Sequence, residues 1–264
     1  MFDELQIYES PLMRSSEDVL AAFAWEEVLC KQIGQGHPPV AHLWRHENAL
    51  VIGLRDRRLQ GAPDVLRDYE QRGIRTCVRP SGGAAVKLTP GVINVSLIMP
   101  NTNRVINIHD DFKRMVRYIQ EALLPWGAVA KAGEIEGAFC PGDYDVSIAG
   151  RKFCGIAQRR LAKAYLITAF IIVEDDGDEL AAEVRRFYDA AASGAEDHYP
   201  QVRQGTMGGL RELAGVRSSE AYMNSLVQVL RKKAAHAYEG TEPKVPREEV
   251  EKMIITLRER YDRD

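Results

Sequence analysis

The chain has 264 residues, which suits one large α/β domain with or without an appendage and allows a substantial buried core. Its 35 Lys and Arg residues against 38 Asp and Glu residues give a formal charge of -3, and no basic block stands out, which argues against a nucleic acid partner. The N-terminal segment lacks a cationic start followed by an apolar run, and no stretch approaches the roughly eighteen apolar residues of a membrane span. We therefore expect a cytoplasmic protein that contacts no membrane.

The cysteines and histidines predict neither a disulfide framework nor a metal site. None of the four cysteines forms a C-x-x-C pair, and the six histidines are scattered without metal-ligand spacing. We also find no internal repeat and no low-complexity linker.

The first part of the chain predicts a helix followed by several strands. A helix capped by Ser15 or Ser16 should end near Gly34. The segment "HLWRHENALVIGL" predicts two strands separated by a polar turn. A second helix should begin near Pro63 and stop at Gly73. Strands then follow in "IRTCVR", "AAVKL" and "VINVSLIM", separated by the turns "PSGG" and "TPG".

The second part predicts more helices around the same sheet. Apolar spacing over 108–124 predicts a helix with one buried face, which should lie across the sheet. The segments "DVSI" and "RKFCGIAQRR" form a predicted hairpin around the turn "AG", and "AYLITAFIIVE" supplies a further strand. Helices are expected over 179–192, about 218–237 and 247–261. The predicted fold class is α/β with mixed sheets, covered by helices and followed by a helical C-terminal region.

The segment "RPSGG", from Arg79 to Gly83, lies between two predicted strands. Its glycines allow backbone amides to approach an anion or a carbonyl group closely, although a glycine pair between strands is also an ordinary turn. It is not a P-loop, because no G-K-[ST] follows, and the dinucleotide fingerprint G-x-G-x-x-G is absent.

Cys140, in the loop "EGAFCPGDYD", is the best candidate for a reactive thiol. The other cysteines sit in helix or strand patterns, where a cysteine is normally a small buried hydrophobe. Cys140 instead lies among turn-forming residues, and Pro141 restricts the backbone beside the sulfur. The acidic residues of the loop discourage a thiolate, so a reactive Cys140 requires a cation from elsewhere in the fold.

Lys152 is the candidate for that cation. It follows Cys140 by twelve residues across the predicted hairpin, so its ammonium can approach the thiol, lower the thiol pKa and later accept a proton from an incoming amine. The spacing permits this pairing without proving it. A Cys-His arrangement with His109 or His46 as the base is the alternative.

These segments together resemble a known family. "RPSGGAAVKL" is similar to the glycine-rich loop of the lipoate-protein ligase and biotin ligase superfamily, and "GRKFCGIAQRR" is similar to its lysine segment. The combination with "EIEGAFCPGDYDVSI" most resembles the cysteine-dependent octanoyltransferases of Gram-positive bacteria. Within that group it resembles the branch that moves octanoyl groups from the glycine-cleavage H protein to E2 subunits of 2-oxoacid dehydrogenases. The resemblance covers about residues 15–240.

The resemblance implies roles for individual residues. Cys140 matches the acyl-thioester nucleophile, and Lys152 matches the lysine that lowers the pKa of that cysteine. Residues that match the substrate-binding positions around the acyl chain and carbonyl are Arg79, Ser81, Gly82, Gly83, Ala84 and Gly155. It also implies a lipoate/biotin ligase-like catalytic domain over 1–210, with a helical extension over 211–264 packed on the same domain.

Two departures from the ligase pattern argue against adenylate chemistry. Ala84 stands where the ligases usually carry a third glycine, and Lys87 to Thr89 replace their usual tyrosine, histidine and aspartate. Transfer of an acyl group from one lysine amide to another lysine is nearly balanced in energy, so we expect no ATP, metal or other cofactor. The expected partners are the glycine-cleavage H protein as donor and E2 lipoyl domains as acceptors, with Arg159, Arg160 or the helical tail as a possible docking face.

Three alternatives stay open from the sequence. An octanoyltransferase that uses an acyl carrier protein would keep the same cysteine and lysine, and an ATP-dependent lipoate ligase would share the fold. A catalytically silent lipoyl-domain binding module is the alternative that is not an enzyme.

Overall fold

The computed structural model describes residues 2–101, 107–192 and 198–262, and these residues form two β-sheets covered by helices. The strands are β1 (Phe2–Glu9), β2 (Val40–Trp44), β3 (Ala49–Ile52), β4 (Arg75–Val78), β5 (Val86–Leu88), β6 (Val92–Pro100), β7 (Lys131–Ala132), β8 (Val146–Ile148), β9 (Arg151–Arg160), β10 (Ala164–Ile172) and β11 (Ala234–Glu239). The helices are α1 (Leu20–Ile33), α2 (Ala62–Gln71), α3 (Ile108–Ala122), α4 (Gly177–Ala191), α5 (Leu210–Ala214), α6 (Ser219–Lys232) and α7 (Arg247–Tyr261).

The larger sheet has eight strands in the order β11-β1-β2-β6-β10-β9-β8-β7, and the smaller has the order β4-β3-β5. In the large sheet, β1 runs parallel to both of its neighbours, β11 and β2. All the other neighbouring strands of that sheet, in the order β2-β6-β10-β9-β8-β7, are antiparallel to each other. The predicted mixed α/β fold class is confirmed.

The large sheet carries a hydrophobic core on each face. Alternate side chains of a strand point to opposite faces, so apolar residues at successive positions of β6 and β10 supply both cores. One core contains α1, α4 and the small sheet, and the other contains α3 and α6. The small sheet therefore packs on the same side of the large sheet as α1, and this arrangement brings the "RPSGG" segment to the large sheet.

Most predicted elements are present, and the differences have tertiary causes. Helix α1 begins at Leu20, because the Ser15 side chain and backbone N–H donate to the Glu47 carboxylate instead of capping the helix. The helix expected over 218–237 ends at Lys232, and the chain continues as β11 beside β1. The predicted domain boundary stays a prediction, but residues 211–264 contribute this strand as well as helices.

The hairpin of β8 and β9 forms as predicted. Its two turn residues, Ala149 and Gly150, have φ values of 50° and 79°. Positive φ at both positions is the signature of the primed turn that matches strand twist. The register places Lys152 opposite Ser147, at the side of the cysteine loop. No helix within the described residues has the length and apolar character that crossing a membrane requires.

Candidate active site

Cys140 occupies a strained position in the loop between β7 and β8. Its φ of 48° lies in the left-handed region, which costs a non-glycine residue roughly 1–2 kcal/mol. The side chain is only 8% exposed. The acidic residues of the loop divide into two groups, since Asp145 is buried and the exposed ones are Glu134, Glu136 and Asp143. Most of the acidic charge near Cys140 therefore faces solvent.

Two donors from the "RPSGG" segment and its continuation contact the sulfur. Arg79 Nη2 lies 3.1 Å from Cys140 Sγ, and the backbone N–H of Ala84 lies 3.3 Å from it. The same Arg79 nitrogen also donates to the carbonyl oxygen of Ala84. Gly83 has a φ of 110°, and a Cβ at that position would lie 3.0 Å from the sulfur. A side chain at position 83 would therefore be strained and would crowd the thiol.

The small sheet and α4 hold this segment in place. The backbone N–H of Arg79 donates to the carbonyl of Ile52 in β3 at 3.0 Å. The Tyr188 hydroxyl accepts from the N–H of Ala85 at 3.1 Å and donates to Asp56 at 3.0 Å. Burial raises the pKa of the Asp56 carboxyl and of the Tyr188 phenol. The segment that supplies the donors to Cys140 is thus fixed by a buried polar network.

The Lys152 side chain contacts the backbone of the cysteine loop. The ammonium donates to the carbonyl oxygens of Phe139, at 2.9 Å, and Cys140, at 2.6 Å. It also forms an ion pair of 2.8 Å with Asp145, and both side chains are almost fully buried. Burial raises the pKa of the Asp145 carboxyl to about 6, although Lys152 acts to lower it.

Cys140 opens into a pocket with largely apolar walls. The pocket encloses about 30 Å³ of space, within about 410 Å³ that includes the open solvent at its mouth. It is lined by Phe23, Val51, Arg79, Ser81, Val86, Leu88, Asn94, Cys140, Gly155, Ile156, Ala157, Thr168 and Phe170. A pocket of this composition suits a hydrocarbon chain that ends in a polar group.

Three polar atoms at this pocket have no hydrogen-bond partner in the described part of the chain. They are Arg79 Nε, Ser81 Oγ and Asn94 Nδ2, and all three are shielded from solvent. Buried polar atoms are normally paired, so unpaired ones that line a pocket indicate where a ligand would bind. Asn94 was not predicted from the sequence; the signal was an asparagine within the apolar strand "VINVSLIM", where this residue type is depleted.

The predicted site residues are brought together to different degrees. Arg79, Ser81 and Gly155 line the pocket with Cys140, and Ala84 contacts the sulfur through its N–H. Gly82 and Gly83 are exposed at the edge of the same loop. Gly155 leaves room for the Phe170 ring, because a Cβ there would lie 2.5 Å from Phe170 Cε1 and 3.3 Å from Lys152 Nζ. The catalytic and binding roles of all these residues stay predictions.

Neither candidate histidine contacts the sulfur. His46 is buried and bonds to the carbonyl of Glu17 and the N–H of Asn48. His109 bonds to the hydroxyl of Tyr144. Lys87, one of the departures from the ligase pattern, donates to Asn48 and to the carbonyl of Leu88. Because Val86 and Leu88 line the pocket, Lys87 lies on the opposite side of β5.

Known proteins are similar to this chain over most of its length. The chain is 39% identical over 201 residues to an octanoyl-[GcvH]:protein N-octanoyltransferase of Bacillus velezensis, an alignment that covers 74% of this chain and 70% of the relative. It is 36% identical over 248 residues to the protein of the same name from Oceanobacillus iheyensis, covering 92% and 85% of the two chains. A lipoyl-[GcvH]:protein N-lipoyltransferase of Listeria monocytogenes is 31% identical over 80% of this chain and 77% of its own length.

Solved structures show the same fold. A lipoate-protein ligase A bound with ATP superposes with a TM-score of 0.71 and 20% identity, covering 100% of this chain and 97% of the other. A bipartite lipoate protein ligase from Thermoplasma acidophilum gives a TM-score of 0.67 at 20% identity, with coverage of 100% and 95%. The family model of the lipoyl protein ligase A/B catalytic domain matches residues 18–233. With most of its length matched in this way, the chain belongs to the lipoyl protein ligase A/B catalytic domain family.

Proposed function

We propose that the protein is an octanoyl amidotransferase of protein lipoylation. It moves an octanoyl group from the lysine of the glycine-cleavage H protein to lysines of E2 lipoyl domains, through a thioester on Cys140. The names of the relatives support the acyltransferase class and the H protein as donor. The single observation that carries the thioester step is the Cys140 sulfur, which faces an apolar pocket and is held by two hydrogen-bond donors.

The first half of the reaction transfers the acyl group to the enzyme. The octanoyl chain occupies the apolar pocket, and the Cys140 thiolate attacks the amide carbonyl of the donor. A carbon–sulfur bond forms, the carbon–nitrogen bond of the amide breaks, and the donor lysine leaves as an amine that gains the proton lost by the thiol. Asn94 Nδ2 and Ser81 Oγ are two of the unpaired groups available to the substrate carbonyl in this pocket.

The second half transfers the group to the acceptor. The acceptor lysine attacks the thioester carbon, the thiolate leaves, and the proton of the amine returns to the sulfur. One amide bond has been exchanged for another, so neither ATP nor a redox partner enters the balance. The lipoate ligase alternative requires both free acid and ATP, and transfer from an octanoylated donor in the absence of ATP separates the two reactions.

Intact mass spectrometry tests the proposal. Wild-type protein incubated with octanoylated H protein should gain one octanoyl group, and Cys140→Ala should gain none, with Cys154→Ala as the matched control that keeps the adduct. Lipoylated H protein and octanoylated acyl carrier protein are tested in parallel, because one relative is named as a lipoyltransferase. Full transfer activity of Cys140→Ser would contradict the thioester step. A wild-type protein that is inactive with every donor would favour the binding module.

The docking role considered for Arg159 and Arg160 stays a prediction. Arg159 forms two hydrogen bonds with the buried carboxylate of Glu27, at 3.1 and 2.9 Å, and Arg160 pairs with Asp111. Both guanidinium groups thus already have carboxylate partners within the fold. Charge reversal at either position should lower stability, and an unchanged affinity for the acceptor domain would exclude the docking role.

A further inference from the structure

The floor of the pocket beside Cys140 is built from regular rows of residues on β9 and β10. Side chains at every second position of a strand share one face, and successive positions on that face are about 7 Å apart. Three neighbouring pairs on the pocket face are Gly155 with Phe170, Ala157 with Thr168, and Arg159 with Leu166. Within the described part of the chain, the first two pairs line the pocket and the third lies beyond its lining. The pocket therefore extends over two rows of the sheet and ends before the third.

Helix α1 lies over these rows. Phe23 lines the pocket, and Glu27 follows it by four residues, so both side chains are on one face of the helix, about 6 Å apart along its axis. This separation is close to the spacing of the rows in the sheet. Glu27 accepts two hydrogen bonds from Arg159, at 2.9 and 3.1 Å. The ion pair thus connects the helix to the sheet one step beyond the last residues of the pocket.

The ion pair of Arg159 and Glu27 is a stronger barrier than the apolar walls. Only 15% of the Arg159 side chain and 5% of the Glu27 side chain are exposed, and the centre of the Tyr261 ring lies 5.9 Å from Arg159 Cζ. An apolar side chain such as Phe23 can turn to another rotamer when a ligand enters the pocket. Opening the ion pair instead leaves two buried charges without partners, which is costly. A ligand that extends past the second row therefore meets a rigid end wall.

The length of an acyl chain can be compared with the distance from the sulfur to this wall. Cys140 and the first row belong to the same end of the pocket, because the neighbouring Phe139 ring stacks on Phe170 with 5.6 Å between the ring centres. An extended octanoyl chain has seven carbon–carbon bonds and reaches about 9 Å from its carbonyl carbon, and a dodecanoyl chain reaches about 14 Å. The third row is about 14 Å from the first. Octanoyl therefore ends between the second and third rows, whereas dodecanoyl would reach the ion pair.

We propose that the Arg159–Glu27 ion pair sets the upper length of the acyl chain near eight carbons, and that Ala157 keeps the second row open for the end of that chain. This inference rests on the proposed function, in which the chain extends into the pocket from Cys140. A lipoyl group has the same eight-carbon backbone, so the limit applies to it equally. These three residues determine specificity at the far end of the pocket and do not contact the reacting atoms.

A competition between donors of different chain length tests this limit. H protein carrying butanoyl, octanoyl or dodecanoyl groups is mixed in equal amounts, and the intact mass of an E2 lipoyl domain gives the product ratio. Because the donor protein is the same in each case, a change in docking alters all three rates equally and leaves the ratio unchanged. Wild-type protein should transfer octanoyl at least about 100-fold faster than dodecanoyl.

The double substitution Glu27→Ala with Arg159→Ala removes the wall without leaving an unpaired charge. It should reduce the preference for octanoyl over dodecanoyl to less than about tenfold. The matched control is Asp111→Ala with Arg160→Ala, which removes the ion pair at the next position of β9, on the face of the sheet that α3 covers. Its product ratio should equal that of wild type. A melting curve for each variant confirms that it is folded.

The variant Ala157→Leu provides a second test if the double variant does not fold. The larger side chain fills the second row, so octanoyl transfer should fall about 100-fold. Butanoyl, which reaches only about 4 Å from its carbonyl carbon, ends before that row, and its transfer should stay within about threefold of wild type.

Wild-type protein that transfers dodecanoyl as fast as octanoyl would overturn the inference. A folded variant without Arg159 and Glu27 that keeps the wild-type ratio would also overturn it, as would the same change of ratio in the control variant. In Ala157→Leu, equal losses of butanoyl and octanoyl transfer would have the same meaning. Failure of the proposed function has a different signature, namely no transfer by wild-type protein at any chain length, or full octanoyl transfer by Cys140→Ser.

Discussion

Cys140 in its loop and Cys30, Cys77 and Cys154 in regular elements are all buried, yet their thiols have different surroundings. Cys140 is 8% exposed and Cys77 is 5% exposed, so access to solvent hardly separates them. The difference lies in the neighbours, because Cys140 has a guanidinium and a backbone N–H at its sulfur. Burial raises the pKa of the other three thiols. A reactive cysteine is thus distinguished by directed donors rather than by exposure.

Selective alkylation tests the difference between Cys140 and the other three cysteines most directly. Burial raises the pKa of Cys30 to about 12, so at pH 8 its thiolate fraction is only about 10⁻⁴. Iodoacetamide should therefore modify Cys140 first, and the rate at Cys30 should rise about tenfold for each pH unit below 12. Digestion and peptide mass spectrometry give the rate at each cysteine.

Unfolded protein in urea provides the control, because all four cysteines should react at similar rates once the fold is lost. Equal rates at Cys140 and Cys154 in the folded protein would remove the distinction between the two regions.

The pocket beside Cys140 provides the second test. Gly155→Val places a side chain where a Cβ would already lie 2.5 Å from Phe170 Cε1, so the Phe170 ring, which lines the pocket, must move. We expect octanoyl transfer to fall about 100-fold, because the acyl carbonyl is displaced from the sulfur. Alkylation by the smaller iodoacetamide should persist. The control is Cys154→Val at the adjacent position, whose side chain lies in the core on the opposite face of the sheet.

Normal transfer by Gly155→Val would mean that the acyl chain binds elsewhere. Initial rates with octanoylated H protein, together with a melting curve for each variant, separate a blocked pocket from a damaged fold.

Disrupting the hydrogen-bond network that holds the "RPSGG" segment should have a smaller effect on octanoyl transfer. Tyr188→Phe leaves the N–H of Ala85 without its partner and removes one donor from the buried Asp56. Loss of such a buried hydroxyl should lower the free energy of unfolding by about 2 kcal/mol, as measured in urea. Transfer should also slow, because Arg79 is held by the same segment. A variant as stable as wild type would show that the network does not position the donors to Cys140.

The smallest expected effect concerns pH. The folded pKa of Asp145 is about 6, above its ordinary value of 3.8, so between these values the folded protein keeps a proton that the unfolded chain has lost. The free energy of unfolding contributed by this group therefore falls as pH rises through that window and is constant above it. Urea unfolding from pH 4 to pH 7 measures it.

The control for this pH dependence is the double variant Asp145→Asn with Lys152→Met, in which that part of the slope should be absent. A slope identical to that of wild type would assign it to other carboxylates, such as Asp56, whose pKa burial also raises.

The sequence predicted the helices and strands best where the local pattern and the tertiary structure agree. The hairpin of β8 and β9 was predictable, because "AG" suits a primed turn and apolar residues flank it. Strand β11 was not, since "AAHAYE" is compatible with a helix and becomes a strand only by pairing with β1. Likewise, β2 and β3 are adjacent in the chain but belong to different sheets, a division that strand patterns do not reveal.

The sequence indicated several residues of the candidate site, but it did not indicate which of their atoms are in contact. The loop context distinguished Cys140, and the spacing to Lys152 permitted the two residues to lie close together. Spacing does not state which atoms meet, and the Lys152 ammonium contacts the carbonyl of Cys140 rather than its sulfur. Asp145 is one of the acidic loop residues expected from the sequence to oppose a thiolate, whereas in the structure its carboxylate pairs with Lys152. These details depend on side-chain directions that only the packed fold determines.

The position of β1 has a consequence for biosynthesis. This strand lies between β2 and β11, and Phe2 pairs with Ala234 across more than two hundred residues of sequence. A ribosome must therefore synthesise residues 234–239 before the first strand gains its second neighbour, and parallel pairing over such a separation forms slowly. Until then one edge of β1 is open to solvent or to a chaperone, so the last strand completes the sheet only late in synthesis.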